Sequence, residues 1–275
     1  MTDPLFRAIR QLQTFEERDF LGIARVRVRR YLPMLCVTLH DGHDFPKELE
    51  ADCLLSSQER LFEEDPHTAD LVRPLPILLS GKESRYYYDL NRSVAEAFPR
   101  VSFGRNVWAG DGHPDIPRAL RRHRAFYRLA GTLLTVLTRR YGHCLVIDLH
   151  SYNASKHDRP TPLFNLGTVA LDIPSHRPLL DRALQELQRI NLPGIETTVA
   201  ENDVFQGRGH FVNWVSRCFP CALPLCLEVK KIYCDEHTGK PSPAVFAPLS
   251  DQLPRALHAI YRAYLTERSS GGASS

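Results

Sequence analysis

The sequence predicts an α/β protein with a mixed, largely parallel central sheet flanked by helices. Three observations carry this expectation. Short apolar runs of strand length recur along the 275 residues. Several of the stretches between them repeat their apolar residues with a helical period, and polar residues able to do chemistry gather where the runs stop. Near-continuous apolar strands are what a parallel sheet needs when helices cover both of its faces.

In chain order, the basic alternation ARVRVRR (24–30) reads as an edge strand without a functional reading, and PMLCVTL (33–39) as the first buried strand. Residues 117–140 open on Pro117, suited to a first helical turn, and set Phe126, Leu129, Ala130, Leu133 and Leu137 on one face. CLVIDL (144–149), PLFNLGTV (162–169), IETTV (195–199) and LPLCLEV (223–229) follow as strands. Helices are expected at 176–190, with Ser175 as cap and Leu180, Ala183, Leu184, Leu187 and Ile190 inward, and at 249–265. Residues 1–268 are read as one catalytic domain and SSGGASS (269–275) as a flexible tail.

The composition excludes several roles. With 35 basic and 32 acidic residues there is no basic excess of the kind that binds nucleic acid. No apolar stretch approaches the roughly 20 residues that span a bilayer, and the N-terminal sequence is charged, so a cytoplasmic protein without a membrane partner is expected. Seven cysteines make an odd, scattered set unlike a disulfide framework. Cys218, Cys221, Cys226 and Cys234 include one C-x-x-C, but Cys226 lies inside a strand and no second pair has ribbon spacing, so core cysteines are the simpler reading.

Chemistry is expected at the strand ends, because ligands of open α/β sheets bind beyond the carboxyl ends of the strands. PMLCVTL runs into His40, Asp41, Gly42, His43 and Asp44, and CLVIDL into His150 and Ser151. His40, His43 and His150 would together leave a fourth position open, the pattern of a catalytic zinc site, with Asp41, Asp44 or Asp148 as a substitute ligand or as a partner orienting an imidazole. In LPLCLEV, alternation puts Leu223, Leu225 and Leu227 on one face and Cys226 and Glu228 on the other. Asn91 also reads as the cap of a helix over 92–98.

Five segments, HDGHDFP (40–46), DLNR (89–92), DLHSYN (148–153), NDVFQGRGHFVNW (202–214) and LEVKKIYCDE (227–236), together resemble the N-formylglutamate amidohydrolase family. That family is similar in turn to the zinc carboxypeptidases and to the aspartoacylase and succinylglutamate desuccinylase enzymes. The resemblance implies a zinc carboxypeptidase-like fold and a Zn2+ cofactor held by His40, His43 and His150. It further implies Glu228 as general base, with Asn91, Arg92, Arg208 and Ser151 as contacts to a small amide substrate carrying a carboxylate. Arg92 would also act on the carbonyl under attack, and His210 belongs with Arg208 to the glycine-rich loop. The sequence departs from the family's pattern at Asp41, where Ser or Ala is usual, at Phe126 and Tyr127, and at Gly207, Arg208 and Gly209, where a cation enters. A peptidase or deacylase on the same scaffold, or a binding protein that has kept the fold, are the alternatives.

Overall fold

The computed structural model describes residues 3–271. The chain begins with α1 (Pro4–Arg10) and two strands, β1 (Phe15–Phe20) and β2 (Ala24–Val28). Strand β3 (Met34–Thr38) leads through a 3-10 turn to α2 (Ser57–Glu63), α3 (Thr68–Leu71) and β4 (Ile77–Gly81). A small hairpin of β5 (Val101–Ser102) and β6 (Arg105–Asn106) precedes the long α4 (Ile116–Tyr141). Then come β7 (Cys144–Tyr152), β8 (Phe164–Gly167), α5 (Ile173–Gln188) and β9 (Val199–Glu201), followed by α6 (His210–Cys218), β10 (Ala222–Lys230) and α7 (Pro243–Gly271).

Eight strands form one mixed sheet in the order β1-β2-β4-β3-β7-β10-β8-β9. Its middle is parallel, β4 with β3, β3 with β7 and β7 with β10, while β2 on β4 and β8 on β10 are antiparallel. Alternation along each strand divides the core in two. Leu35, Val37, Val146 and Cys144 face α1, α4 and α6, whereas Met34, Cys36, Leu145, Ile147, Leu223 and Leu225 face α3, α5 and α7. No helix among the described residues is long and apolar enough to cross a membrane.

Differences from the sequence reading have local causes. Strand β7 runs three residues beyond 149, because β10 pairs with it over all nine positions from Cys144 to Tyr152. Strand β2 is interior rather than an edge, since β1 adds outside it. Helix α5 starts earlier, with Asp172 at the cap position and Ser175 inside, because Pro174 needs no N–H partner in a first turn. Strand β9 takes only Val199 from the predicted run, pairing with β8 at Phe164. No helix forms over 92–98, which is a series of turns. Helix α7 continues into the stretch read as a tail, whose last four residues lie outside the described ones.

One turn decides where the first motif points. A Cβ on Gly42 would lie 2.0 Å from the Lys82 carbonyl carbon, so only glycine lets these backbones touch. There the Asp44 N–H donates to the Lys82 carbonyl at 3.0 Å, and the chain is drawn along Lys82 and Glu83 toward the surface. We expect Gly42→Ala to destabilise the protein by about 2 kcal/mol or more, measured by urea unfolding, since overpacking here has only backbone to displace. A cost below about 0.5 kcal/mol would show that the contact yields freely.

Candidate metal centre and active site

Strands β3, β7 and β10 end side by side, and their last residues form the floor of a cleft of 570 Å³. Register fixes the order on that floor. In the parallel pairing of β7 with β10, Cys226 stands opposite Asp148 and Glu228 opposite His150. His40, two residues past β3, reaches the same point, its ring centroid 5.0 Å from that of His150.

The third member of the cluster is Asp65, in the loop between α2 and α3. His40, Asp65 and His150 are all buried, and one ligand atom from each lies within 4.8 Å of the others. Asp65 Oδ2 is 3.1 Å from His150 Nδ1 and 3.5 Å from His40 Nδ1. The Asp65 N–H donates to the His40 carbonyl at 2.9 Å, and the Ser151 hydroxyl donates to Asp65 Oδ1 at 3.1 Å, so both backbone and carboxylate are held. His40 Nδ1 is buried and has no hydrogen-bond partner. A buried ring nitrogen facing a carboxylate and a second imidazole, itself unbonded, is what an absent cation would leave behind.

The far sides of both rings fit the same reading. His40 Nε2 lies 2.8 Å from Asp89 Oδ1, and His150 Nε2 lies 3.1 Å from Asp148 Oδ1, although the latter pair lacks hydrogen-bond alignment. A carboxylate behind each imidazole fixes the ring and makes its other nitrogen a better donor to a metal. Asp89 is gripped in turn by Arg85, whose Nη2 donates to Oδ2 at 2.8 Å. Burial alone would raise the Asp89 carboxyl, but Arg85 and His40 outweigh it and hold it well below the ordinary range. For Asp65 likewise, burial pulls upward and the two imidazoles prevail, so it stays ionised. Burial would lower His150, yet Asp148, Asp65 and Glu228 together hold it well above its usual value. Glu228 is the exception among these carboxylates: burial dominates, despite His150, and pushes it up to about 8.

The histidine and aspartates of the first motif separate. His43 is exposed and lies outside the cluster, because the Gly42 contact turns the chain to the surface; Asp65 stands where His43 was expected. Asp41 is buried but committed elsewhere, accepting from Arg25 at 2.6 Å and from the Ala69 N–H at 2.9 Å. Asp44 is exposed beside Lys82. Cys218 and Cys221 are exposed and unpaired while Cys226 and Cys234 are buried, and among the described residues they form no metal cluster.

Asn91, Arg92, Ser151, Arg208 and Glu228 all border the cleft. The Asn91 carboxamide is partly spent: its Oδ1 accepts from the Phe211 N–H at 3.1 Å in the first turn of α6, and its Nδ2 lies 3.4 Å from His150 Nε2. A Cβ on Gly209 would sit 2.5 Å from that Oδ1, so the glycine beside Arg208 is required by Asn91. The guanidinium groups of Arg92 and Arg208 are exposed at the rim with no hydrogen bond or ion pair among the described residues. His210 opens α6 with its ring 5.5 Å from Tyr127. A larger open groove of 860 Å³ beside α4, lined by Arg10, Arg128 and Arg139, contains none of these residues.

Asp65 escaped the sequence reading, and Asp89, though inside the DLNR segment, was given no role and no partner in Arg85. Asp65 ends the run Glu63, Glu64, Asp65, which looks like a solvated charge cluster; its one signal is Pro66, which forces the helix to end there.

With this geometry in view, comparison with known proteins is informative. The N-formylglutamate amidohydrolase family matches residues 32–220. The chain belongs to that family. The crystal structure of N-formylglutamate amidohydrolase from Ralstonia eutropha JMP134 superposes with a TM-score of 0.69 at 21% identity, covering 90% of this chain and 99% of that one. A gene product from Agrobacterium tumefaciens superposes with a TM-score of 0.64 at 18% identity, covering 87% of this chain and 96% of its own. No curated protein sequence matches the chain. Family membership supports an enzyme that hydrolyses amide bonds, and the buried His-Asp-His group is able to hold a metal ion.

Two measurements probe this site. Elemental analysis of purified protein should find about one metal ion per chain, retained in His43→Ala and lost in Asp65→Ala, while Asp89→Asn weakens metal affinity by about 10–100-fold. Loss of metal in His43→Ala with retention in Asp65→Ala would reverse the assignment. The second concerns Glu228 in chelator-treated protein. Because its folded-state pKa of about 8 exceeds its ordinary 4.5, its protonated form contributes stability that is full below pH 4.5 and is lost as the pH rises through 8. Glu228→Gln should therefore gain on the wild type by on the order of 2–5 kcal/mol across that range in urea unfolding. A gap independent of pH would mark Glu228 as an ordinary carboxylate.

Proposed function

We propose that the protein is a zinc-dependent amidohydrolase that cleaves the amide bond of an N-formyl or N-acyl amino acid, with His40, Asp65 and His150 holding the metal. The observation that carries this reading is the buried, unbonded His40 Nδ1, facing Asp65 and His150 on the floor of a cleft with two unpaired guanidinium groups on its rim. Nitrogen and oxygen donors in a three-residue set suit zinc and leave a coordination position for chemistry. Zinc supplies Lewis acidity, polarising a carbonyl and acidifying water.

The chain's own groups then have distinct tasks. Glu228, opposite His150 on the cleft floor, accepts the proton of the attacking water and delivers it to the departing nitrogen once the metal's charge has returned it to the carboxylate form. Asp89 and Asp148 orient the two imidazoles. Arg92 and Arg208 bind the substrate's carboxylate, for which a planar guanidinium offers two parallel donors. Asn91 Nδ2 remains for the carbonyl oxygen, and Ser151 serves chiefly by steadying Asp65. All seven cysteines are unpaired, which fits a reducing, cytoplasmic setting.

The test is hydrolysis of a panel of N-formyl and N-acetyl amino acids by metal-loaded protein. Turnover is expected for substrates with a free α-carboxylate, falling by about 10²–10⁴-fold in Glu228→Gln with metal content retained. Arg92→Gln should cost about tenfold or more in kcat/KM on those substrates and little on their carboxamide analogues. Full activity in Glu228→Gln would remove it as the base.

A further inference from the structure

The rim of the cleft holds an anomaly that hydrolysis of a small polar substrate does not require. Among the described residues, the only exposed Phe, Tyr or Trp side chains are Phe103 at 45% and Phe205 at 40%, and both line this cleft. Exposed aromatic rings gathered at one cavity mark a surface that awaits an apolar group.

Phe103 is held there against its backbone preference. Ser102 pairs with Arg105, so the β5–β6 hairpin turns on two residues, Phe103 and Gly104, with φ of 50° and 74°. Two consecutive positive φ values define the tight hairpin turn in which Asn-Gly or Asp-Gly is favoured, because a bulky side chain crowds its own backbone there. Phenylalanine in the first of these positions stays half exposed, and its contacts are with charged rather than apolar groups. Its ring lies 5.0 Å from the Arg85 guanidinium carbon and 4.3 Å from Lys156 Nζ, an arrangement that fixes it beside the charges bordering the His-Asp-His group.

Phe205 occupies the other part of the same rim. It stands three residues before Arg208 in the glycine loop, its ring centroid 5.8 Å from that of Tyr152, whose ring is 5.9 Å from His157. The backbone of this loop is fixed from below: Asn165 Nδ2 donates to the Phe205 carbonyl at 2.7 Å, and Gly207 packs against Gly167 so closely that a Cβ on either would fall within 2.5 Å of the other's backbone. Aromatic surface and free guanidinium are thus presented together by one rigid segment.

We infer that the substrate is an N-acyl amino acid bearing an aromatic group in addition to its carboxylate, and that Phe103 and Phe205 are the residues that select it. This rests on the hydrolase reading above and narrows its substrate class. A cavity of 570 Å³ lies within the range of sites that enclose drug-sized ligands, more room than a formylated aliphatic amino acid fills. Ring-on-ring contact supplies affinity for a flat apolar group, while Arg92 and Arg208 anchor the carboxylate.

The test compares N-formylphenylalanine and N-benzoylglutamate with N-formylglutamate, using metal-loaded wild type, Phe103→Asn, Phe205→Ala and Glu228→Gln. The wild type is expected to favour the aromatic substrates by about tenfold or more in kcat/KM, and each Phe variant to collapse that ratio, chiefly through KM. Phe103→Asn should also raise the melting temperature, since Asn-Gly suits the turn. In Glu228→Gln, calorimetric titration reads binding without turnover and should show the same preference. Turnover of N-formylglutamate with no aromatic preference, or a preference indifferent to both Phe variants, would overturn the inference and leave the hydrolase standing. Aromatic-selective, Phe-dependent binding with no turnover of any substrate by the wild type would sink the hydrolase and the substrate assignment with it, leaving Phe103 and Phe205 as selectors of a bound aromatic ligand.

Discussion

Two imidazoles buried among four carboxylates form the constraint to which the rest of this structure answers. His40 and His150 are enclosed with Asp65, Asp89, Asp148 and Glu228, all of them buried. Charges of one sign cannot be collected away from water unless something opposes them. Arg85 opposes part, through Asp89; Lys231, buried with its Nζ on the Phe62 carbonyl, adds a second positive charge that burial itself weakens. Glu228 relieves another part by taking up a proton well above the usual carboxylate range. Part of what is left over lies at Asp65 and the unbonded His40 nitrogen, which with His150 form a group able to hold a metal ion.

The fold makes such a gathering possible because the parallel pairing leaves no freedom in register. A shift of one residue between β7 and β10 would turn Glu228 away from His150 and bury Leu227 or Val229 among charges instead. The apolar faces of these strands against α5 and α7 therefore hold this register in place, since a slip of β10 would take Leu223 and Leu225 out of the core they share with Leu145 and Ile147. The chemistry of the site and the packing of the core are the same constraint viewed from opposite faces of the sheet.

This division explains what could be read from the sequence. The place of Glu228 was legible because strand alternation is a strict rule, and those of His40 and His150 because each follows a largely apolar strand-length run. Asp65 was not, since its place depends on a loop brought in by a backbone bond to His40, and nothing local separates it from Glu63 or Glu64 in the same acidic run. His43 misled for the complementary reason: its spacing from His40 is right for a shared ion, but the direction of that turn is set by Lys82, forty residues away. The helix expected at 92–98 failed where Asn91, its supposed cap, instead caps α6 at Phe211. These three misses lie on loops whose geometry is fixed by a distant partner.

Floor and rim consequently differ in kind. The floor is carried on β7 and β10, paired residue by residue, with His40 after β3 and Asp65 tied to it through the backbone. The rim is carried on the β5–β6 hairpin, the 3-10 turn Ala154–Lys156 and the loop from Val204 to Gly209, segments with little sheet pairing of their own. Changes on such loops leave the floor's hydrogen bonds intact, so one reaction can be matched to different substrates by the rim alone. Gly207, Arg208 and Gly209 lie on this rim, and Phe103 sits on it with a positive φ, packed against Arg85 and Lys156. Leu21 and Gly22 repeat the same pair of positive φ values with an exposed leucine outside the cleft, so what ties Phe103 to an entering group is its place on the rim beside Arg85 and Lys156, not its backbone alone.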